Sequence, residues 1–520
     1  MSNSNKRKVA IIGAGLAGTT VGLGLVNAGF DVTIYSDRDR ASLRNDVPPT
    51  GTAVYFGKSL EYDAEIVEDI YDIGNSTGMS VRIFSGAGEA RTPVLAFDSP
   101  FKYRAQAVDT RLRADDRLSR FLARGGKFNV RAVTPQDLDA IAADVDLTLV
   151  ATGKGGLSSL FPADPDRTVY AEPQRHLLLA TFKGLDRADR QFAYRSSDGG
   201  KHNWFNIHAD FGETFFGPYL HRDIGAAWAF IGFAKPGSPW VELFKSVTDT
   251  QSARDVVVNL YATYFPEDAA LIEQLRPLHE DRHSWFLGAV TPTARHAVAA
   301  TANAHPVIAI GDAAISFDPI GGQGAQTAVI QAASLIRALK THKGRIMQEW
   351  LQDQFNRHWD HRGDAATEVT RLFLGDQKYA THAELLFPAA AVNADIGTAF
   401  LGCSPSRDRC LRSKAERTSS SSFLIWRASL PRMSWQSSNH LNSSRVRRPL
   451  RAQPSRHRRW IMSSGTSRRD DADQAVAGRT AFPSAFPLHT RSCTGRGAEV
   501  RAQAGRQYRQ RSRAGPQTPC

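Results

Sequence analysis

The amino-acid sequence predicts an α/β protein, and three observations carry that prediction. A glycine-rich turn sits between two β-branched runs near the N-terminus. A second glycine-rich turn follows another apolar run at Pro306–Ile310, and the residues between the two alternate with a period of two and are rich in aromatics. At 520 residues the chain exceeds one small core, so more than one domain is expected.

The first strand is Val9–Ile12, a short run typical of a fully buried parallel strand. It enters GAGLAG, a G-x-G-x-x-G match at Gly13, Gly15 and Gly18. A helix pattern follows from Leu16 to Ala28, Gly29 stops it as a C-cap would, and a second strand spans Val32–Tyr35. The glycines provide a tight turn, close backbone approach to a pyrophosphate, and close packing of helix on strand. The phosphates would sit at the helix N-terminus, where free N–H groups and the helix dipole favour negative charge. Alone the motif is weak; between strand, helix and strand it is specific. An acid that grips a ribose is expected at Ser36, where the chain has serine, with Asp37 next to it. The basic start and apolar run mimic a signal peptide, but the glycine spacing and the strand that follows argue against one, and no targeting or membrane segment is expected.

Further along, VATGKGGLSS around Gly153 lacks the third glycine and the Lys-Ser/Thr pair of a phosphate loop. Residues 165–290 read as antiparallel sheet, in RHLLLATFKG, NWFNIHADF, ETFFGPYL and GAAWAFIGFA. The apolar run at Pro306 ends in Gly311-Asp312. Then Pro319, Gly321, Gly322, Gln323 and Gly324 precede a helix over Ala325–Leu339. A carboxylate accepts from a polyol, and glycines let the backbone approach a flat ring. Beyond residue 340 the pattern is helical. His358 and His361 stand one turn apart there, but two ligands with no third make no metal site, and no metal is expected.

The net charge of +13 is unevenly spread. Residues 403–520 hold 23 Arg, one Lys and six Asp or Glu, so 24 cations against six acids give +18 and leave −5 for residues 1–402. All four cysteines and 20 serines fall in that tail, which lacks helical or strand periodicity. It reads either as a disordered basic arm that binds nucleic acid or as out-of-frame translation of GC-rich DNA. The preference for Arg over Lys favours the second, and nucleic-acid binding is not expected. The remaining chain has no thiol nucleophile and no Cys-based metal site, in keeping with a cytoplasmic protein.

With both glycine turns in this order, the sequence resembles the flavoprotein monooxygenases that carry two FAD motifs. The resemblance implies a Rossmann-like FAD-binding domain of the glutathione-reductase/aromatic-hydroxylase type. It also implies that Asp312 hydrogen-bonds the ribityl chain and that Pro319, Gly322 and Gly324 bring backbone N–H groups to the isoalloxazine. Where single-component aromatic hydroxylases carry Asp-Gly, this chain has Thr152-Gly153, which argues against direct NADPH use. Seven stretches in order are similar to the oxygenase component of two-component styrene and indole monooxygenases. They are VDTRL (108–112), ARGGKF (123–128), ATGK (151–154), PQR (173–175), FKG (182–184), GAVTP (288–292) and the GD…DP..GQGA stretch (311–325). The W-x-W-x-I-P box of flavin-dependent halogenases is absent.

That family implies FAD, used as FADH2, and O2 as cofactors, and an NADH-dependent flavin reductase as partner. A C4a-(hydro)peroxyflavin would epoxidise a small apolar aromatic alkene. A homodimer is possible in such a system, and no protein side chain need be catalytic. Arg44 and Arg111 are candidates for FAD contacts, with Gly13, Gly15, Gly18, Ser36, Asp37 and Gly153. Asn45, Thr52, Ala53, Val54 and Ile320 are candidate pocket residues, although the loop NDVPPTGT departs from the family pattern. The expected organisation is a discontinuous FAD domain (1–164 and 291–345), an antiparallel β substrate domain (165–290), a helical segment (346–402) and the tail (403–520). Competing readings are a single-component NAD(P)H-dependent aromatic hydroxylase and a non-catalytic FAD-fold protein.

Overall fold

The computed structural model describes residues 6–86, 90–185, 194–196 and 198–401. The basic tail from 403, with every cysteine, lies outside the described residues. The fold is α/β and built around two sheets.

The first sheet has six strands in the order Val298–Ala300, Pro306–Ala309, Leu147–Val150, Lys8–Ile12, Asp31–Ser36 and Lys127–Val130. All neighbours are parallel except the antiparallel edge at Val298–Ala300. Ile11 lies opposite both Ile34 and Leu149, and all three are fully buried, which is why these strands read as unbroken apolar runs. Helix Leu16–Asn27 packs on this sheet through small residues. A Cβ on Gly18 would lie 2.0 Å from the carbonyl oxygen of Gly13. Only glycine permits that approach of helix to turn.

The second sheet has nine strands and is larger than the sequence suggests. Its main path is Arg276–Pro277, His176–Lys183, Gly225–Ala234, Gly212–His221, His202–His208, Asn75–Ser85, Thr92–Ala107 and Val54–Phe56, with Trp285–Ala289 also paired to His176–Lys183. Three of these strands come from residues 54–107, which the sequence reading put in the FAD domain. The sheet is mixed rather than antiparallel throughout, because Asn75–Ser85 and His202–His208 run parallel.

Alternation sorts the second sheet's side chains. Leu178, Trp204, Phe216 and Phe230 point to one face and bury against helices Pro239–Lys245, Thr250–Tyr264 and Pro266–Ile272. These helices interrupt a segment expected to be all sheet. The middle one starts at a capping box in which the Asp249 carboxylate accepts from the Ser252 N–H at 2.7 Å. Leu177, Leu179, Phe205, Ile231 and Phe233 point to the other face, which looks toward the first sheet across a cleft. Helix Gln348–His358 continues through a π turn at Trp359–Gly363 into helix Asp364–Phe373. Helices Ala380–Val392 and Ala394–Leu401 then pack on strand Thr92–Ala107. Among the described residues no helix is long and apolar enough to cross a membrane.

Candidate functional site

A cleft of about 910 Å³ runs between the two sheets, and its ends differ in chemistry. One end is polar and built from the first sheet. Strand Lys8–Ile12 delivers the chain to Gly13, whose φ of +114° and contact with the Ala151 carbonyl leave no room for a side chain. The helix that follows is capped at Gly15 by no side chain and has no acid in its first turn, so its N–H groups and dipole face the cleft unopposed. Ser36 and Asp37 end the second strand on the same wall. Asp37 is exposed, with Arg38 at 3.7 Å, and the Ser36 hydroxyl accepts from the Arg38 N–H. Arg131 joins this wall, an arginine that sequence reasoning missed.

The middle of the cleft is formed by two loops from the first sheet. Gly153 has φ +68° on one. Beside it Lys154, also not foreseen, reaches to 3.7 Å from the carboxylate of Asp312 on the other. Desolvation raises the pKa of Asp312, and Lys154 pulls it back. Asp312 also lies against Gly324, where helix Gly324–Thr341 begins without a side-chain cap. A single 3₁₀ turn, Pro319–Gly321, ends at Gly322 in the left-handed region with φ +62°. This turn, with Gln323 and Gly324, forms the border between the polar and apolar ends.

Asp318 fixes that turn from behind. Its Oδ1 accepts from the Ile320 N–H at 3.0 Å, its Oδ2 has no partner, and the side chain is fully buried. Burial pushes its pKa up to about 6, against the pull of the Ile320 N–H and of Arg175. Gln323 is held at both ends of its amide: Nε2 donates to the Gly321 carbonyl at 2.5 Å, and Oε1 accepts from Arg362 of the π turn.

The far end of the cleft is an apolar chamber. Leu177, Leu179, Phe205, Phe215, Ile231 and Phe233 form its sheet wall, Val369 and Phe373 come from the helix opposite, and Ile320 and Val54 lie at its mouth. Residues 48–54 also line the cleft, with Gly51 at φ +85° and Ala53 at φ +45°. A non-glycine residue held in the left-handed region is strained, and such strain tends to cluster at binding sites.

The cleft therefore brings together Gly13, Gly15, Ser36, Asp37, Gly153, Asp312, Pro319, Gly322 and Gly324, with Thr52, Ala53, Val54 and Ile320 on the chamber side. Gly18 stands behind the wall and packs the helix. Three expected residues are placed elsewhere. Arg44 donates to the Arg222 carbonyl and to Asp223 at 3.0 Å, and Leu43 takes the wall instead. Asn45 is exposed at the end of the short helix Arg40–Asn45, outside the cleft wall. Arg111 is buried between Asp109 and Asp281, each at 2.7 Å, so its charge is already neutralised and is not offered to a phosphate. Among the described residues no group of three or more His, Cys, Asp or Glu could hold a metal. His358 is buried, and burial holds its pKa down to about 3.

The residues present fit FAD. The glycine cradle and bare helix end suit a pyrophosphate, Asp312 suits a hydroxylated chain, and the glycine turn admits a flat ring beside an apolar chamber.

Comparison with known proteins agrees. A family model described as "Styrene monooxygenase A putative substrate binding domain" matches residues 153–270. Styrene monooxygenase StyA of a Pseudomonas species is 27% identical over 347 residues, 65% of this chain and 78% of that protein. StyA of Pseudomonas fluorescens is 26% identical over 379 residues, 71% of this chain and 85% of that protein. Among solved structures, the flavin-dependent brominase Bmp2 is similar with a TM-score of 0.50 at 14% identity, covering 80% of this chain and 100% of its own. A flavoprotein/dehydrogenase from Cytophaga hutchinsonii gives 0.53 at 14% identity, covering 78% and 94%. These structural likenesses speak to fold alone. In sequence this chain is similar to styrene monooxygenase StyA, and in fold to flavin-dependent enzymes.

Proposed function

We propose that this protein epoxidises an aryl alkene of the styrene type, with indole as a second candidate, using O2 and reduced FAD supplied by a separate NADH-dependent flavin reductase. The observation that carries the proposal is the placement of the apolar chamber directly beyond the Pro319–Gly324 turn. Among the described residues, those of its sheet and helix walls are apolar, which suits a reaction whose chemistry the cofactor supplies. Bound reduced FAD supplies the reaction with O2 and the transfer of one oxygen atom. Overall, alkene, O2 and FADH2 become epoxide, water and FAD.

The chain's own residues bind, orient and exclude water. The helix end at Gly15 and the close approach at Gly13 hold the pyrophosphate. Asp312 accepts from a ribityl hydroxyl. The backbone from Pro319 to Gly324, braced by Asp318 and Gln323, seats the ring. The Leu and Phe side chains hold the substrate beside the ring and keep out the water that would waste the oxidant as H2O2. Thr152, where a direct NAD(P)H user carries aspartate, supports delivery of reduced flavin from outside.

The test is NADH-driven conversion of styrene by purified protein with FAD, with and without an added flavin reductase. Styrene oxide formed only with reductase is the expected result. Product formed without reductase would reveal a single-component enzyme. NADH consumption that yields only H2O2 in both cases would remove styrene-type alkenes as substrates.

A further inference from the structure

We infer that Asp281, which lies outside the cleft, is a positioning residue for FAD binding. Through Arg111 and Arg222 it fixes the segment 44–54, whose later half lines the cleft. The inference holds whichever substrate the cleft takes.

The segment needs an external hold. Its helix ends at Asn45, and strand Val54–Phe56 begins eight residues later, so residues 46–53 belong to neither. Pro48 and Pro49 have no N–H to donate, and Gly51 and Ala53 stand in the left-handed region. The backbone is held instead from outside. The Val47 carbonyl accepts from Arg111 Nη1 at 3.3 Å, and the Arg44 carbonyl accepts from Arg222 Nη1. The Thr50 N–H donates to the Thr110 hydroxyl at 3.1 Å. Pro48 to Val54 then line the cleft.

Asp281 holds both arginines. Its Oδ2 accepts from Arg111 Nη2 at 2.7 Å, and its Oδ1 accepts from Arg222 Nη2 at 3.2 Å. The His283 N–H donates to Oδ1 at 3.0 Å, and His221 Nε2 lies 3.0 Å from Oδ2. Burial pushes the Asp281 carboxyl up, but the hydrogen bonds from His221 and Arg111 outweigh it, so the group stays ionised. Asp281 is 2% exposed and Arg111 4%, with Asp109 on the other side of the same guanidinium. A buried pair of this kind adds little net stability over apolar packing, whereas the planar fork of an arginine admits one arrangement of partners. Asp281 belongs to the link between strands Arg276–Pro277 and Trp285–Ala289 of the second sheet. Arg111 opens helix Thr110–Ala123, which packs on helix Leu16–Asn27 of the first. The carboxylate thus ties the segment to both sides of the cleft.

Two readouts on the full chain, neither of them activity, test this: FAD affinity by fluorescence titration, and amide hydrogen exchange read peptide by peptide. Asp281→Asn keeps the shape and removes the charge. It is expected to weaken FAD about tenfold and to speed exchange at residues 46–53, with helices Pro239–Lys245 and Thr250–Tyr264 unchanged. Arg111→Lys keeps a cation between Asp109 and Asp281, but one ammonium cannot also reach the Val47 carbonyl. It is expected to give the same two changes with a smaller loss in thermal midpoint, and it carries the test if Asp281→Asn does not fold. Unchanged FAD affinity in a folded variant would overturn the inference. Exchange that rises equally in the segment and in the two helices would also overturn it, since Asp281 would then serve stability alone.

Discussion

Two side chains carry the sharpest residue-level consequences. Gly18→Ala places a Cβ 2.0 Å from the Gly13 carbonyl oxygen, so the helix must back away from the turn that cradles the pyrophosphate. A loss of about 1–3 kcal/mol in stability is expected from the overpacking. FAD should bind about tenfold more weakly, a change that titration of the apoprotein would measure. Asp318 predicts a pH effect of definite sign. Its folded pKa of about 6 lies above the ordinary 3.8, so the folded state holds a proton that the unfolded state has released. Its contribution is full below 3.8 and is lost as pH rises through about 6. Asp318→Asn keeps an acceptor for the Ile320 N–H and removes the buried charge. The variant should gain about 1–3 kcal/mol over the wild type at pH 7 and none at pH 4, read from denaturation midpoints at both pH values. Arg111 teaches the opposite lesson. In VDTRL it looks like a phosphate ligand, but Asp281, distant in sequence, claims its guanidinium. No local pattern announces a pairing of that range.

At the scale of elements, the π turn Trp359–Gly363 reaches the cofactor seat from outside it. It delivers Arg362 to the Gln323 amide, which in turn holds Gly321. Extra residues in a helix turn re-aim side chains in this way and recur at functional sites. Arg362→Met should cost about 1.5–3 kcal/mol in stability and weaken FAD binding, measurable in one calorimetric series with and without FAD. His358, just before the turn, titrates against Asp318. Its pKa falls from 6.5 to about 3 on burial, so the unfolded state binds the extra proton and stability drops as pH falls below 6.5. His358→Leu should therefore flatten the acid limb of the stability profile. The two glycine turns and the strands at residues 176–234 were legible because their patterns are local. Strands Asn75–Ser85 and Thr92–Ala107 were not, since register shifts at Ser76/Gly78 and Ile83/Phe84 break the alternation that would reveal them.

At the scale of the whole molecule, function follows from two sheets sharing one cleft. The sequence shows that the second sheet exists but not which face meets the cofactor, because both faces are apolar: Trp204 and Phe216 on one side, Phe205 and Phe215 on the other. The helices at residues 239–272 settle the matter by covering the first of these faces. Among the described residues, the cleft is lined from Ile12 to Leu401. A chain truncated after residue 402 should therefore retain FAD affinity and thermal midpoint, and any DNA affinity it lost would belong to the tail alone.

The central claim is that reduced FAD in this cleft transfers oxygen to an alkene, and a single-turnover experiment tests it most directly. Protein loaded with chemically reduced FAD under anaerobic conditions would be mixed with O2 and styrene, and the products quantified. Close to one styrene oxide per reduced flavin, with little H2O2, is the result this structure predicts. Flavin reoxidation that gives H2O2 alone, with the protein folded and the flavin bound, would contradict it.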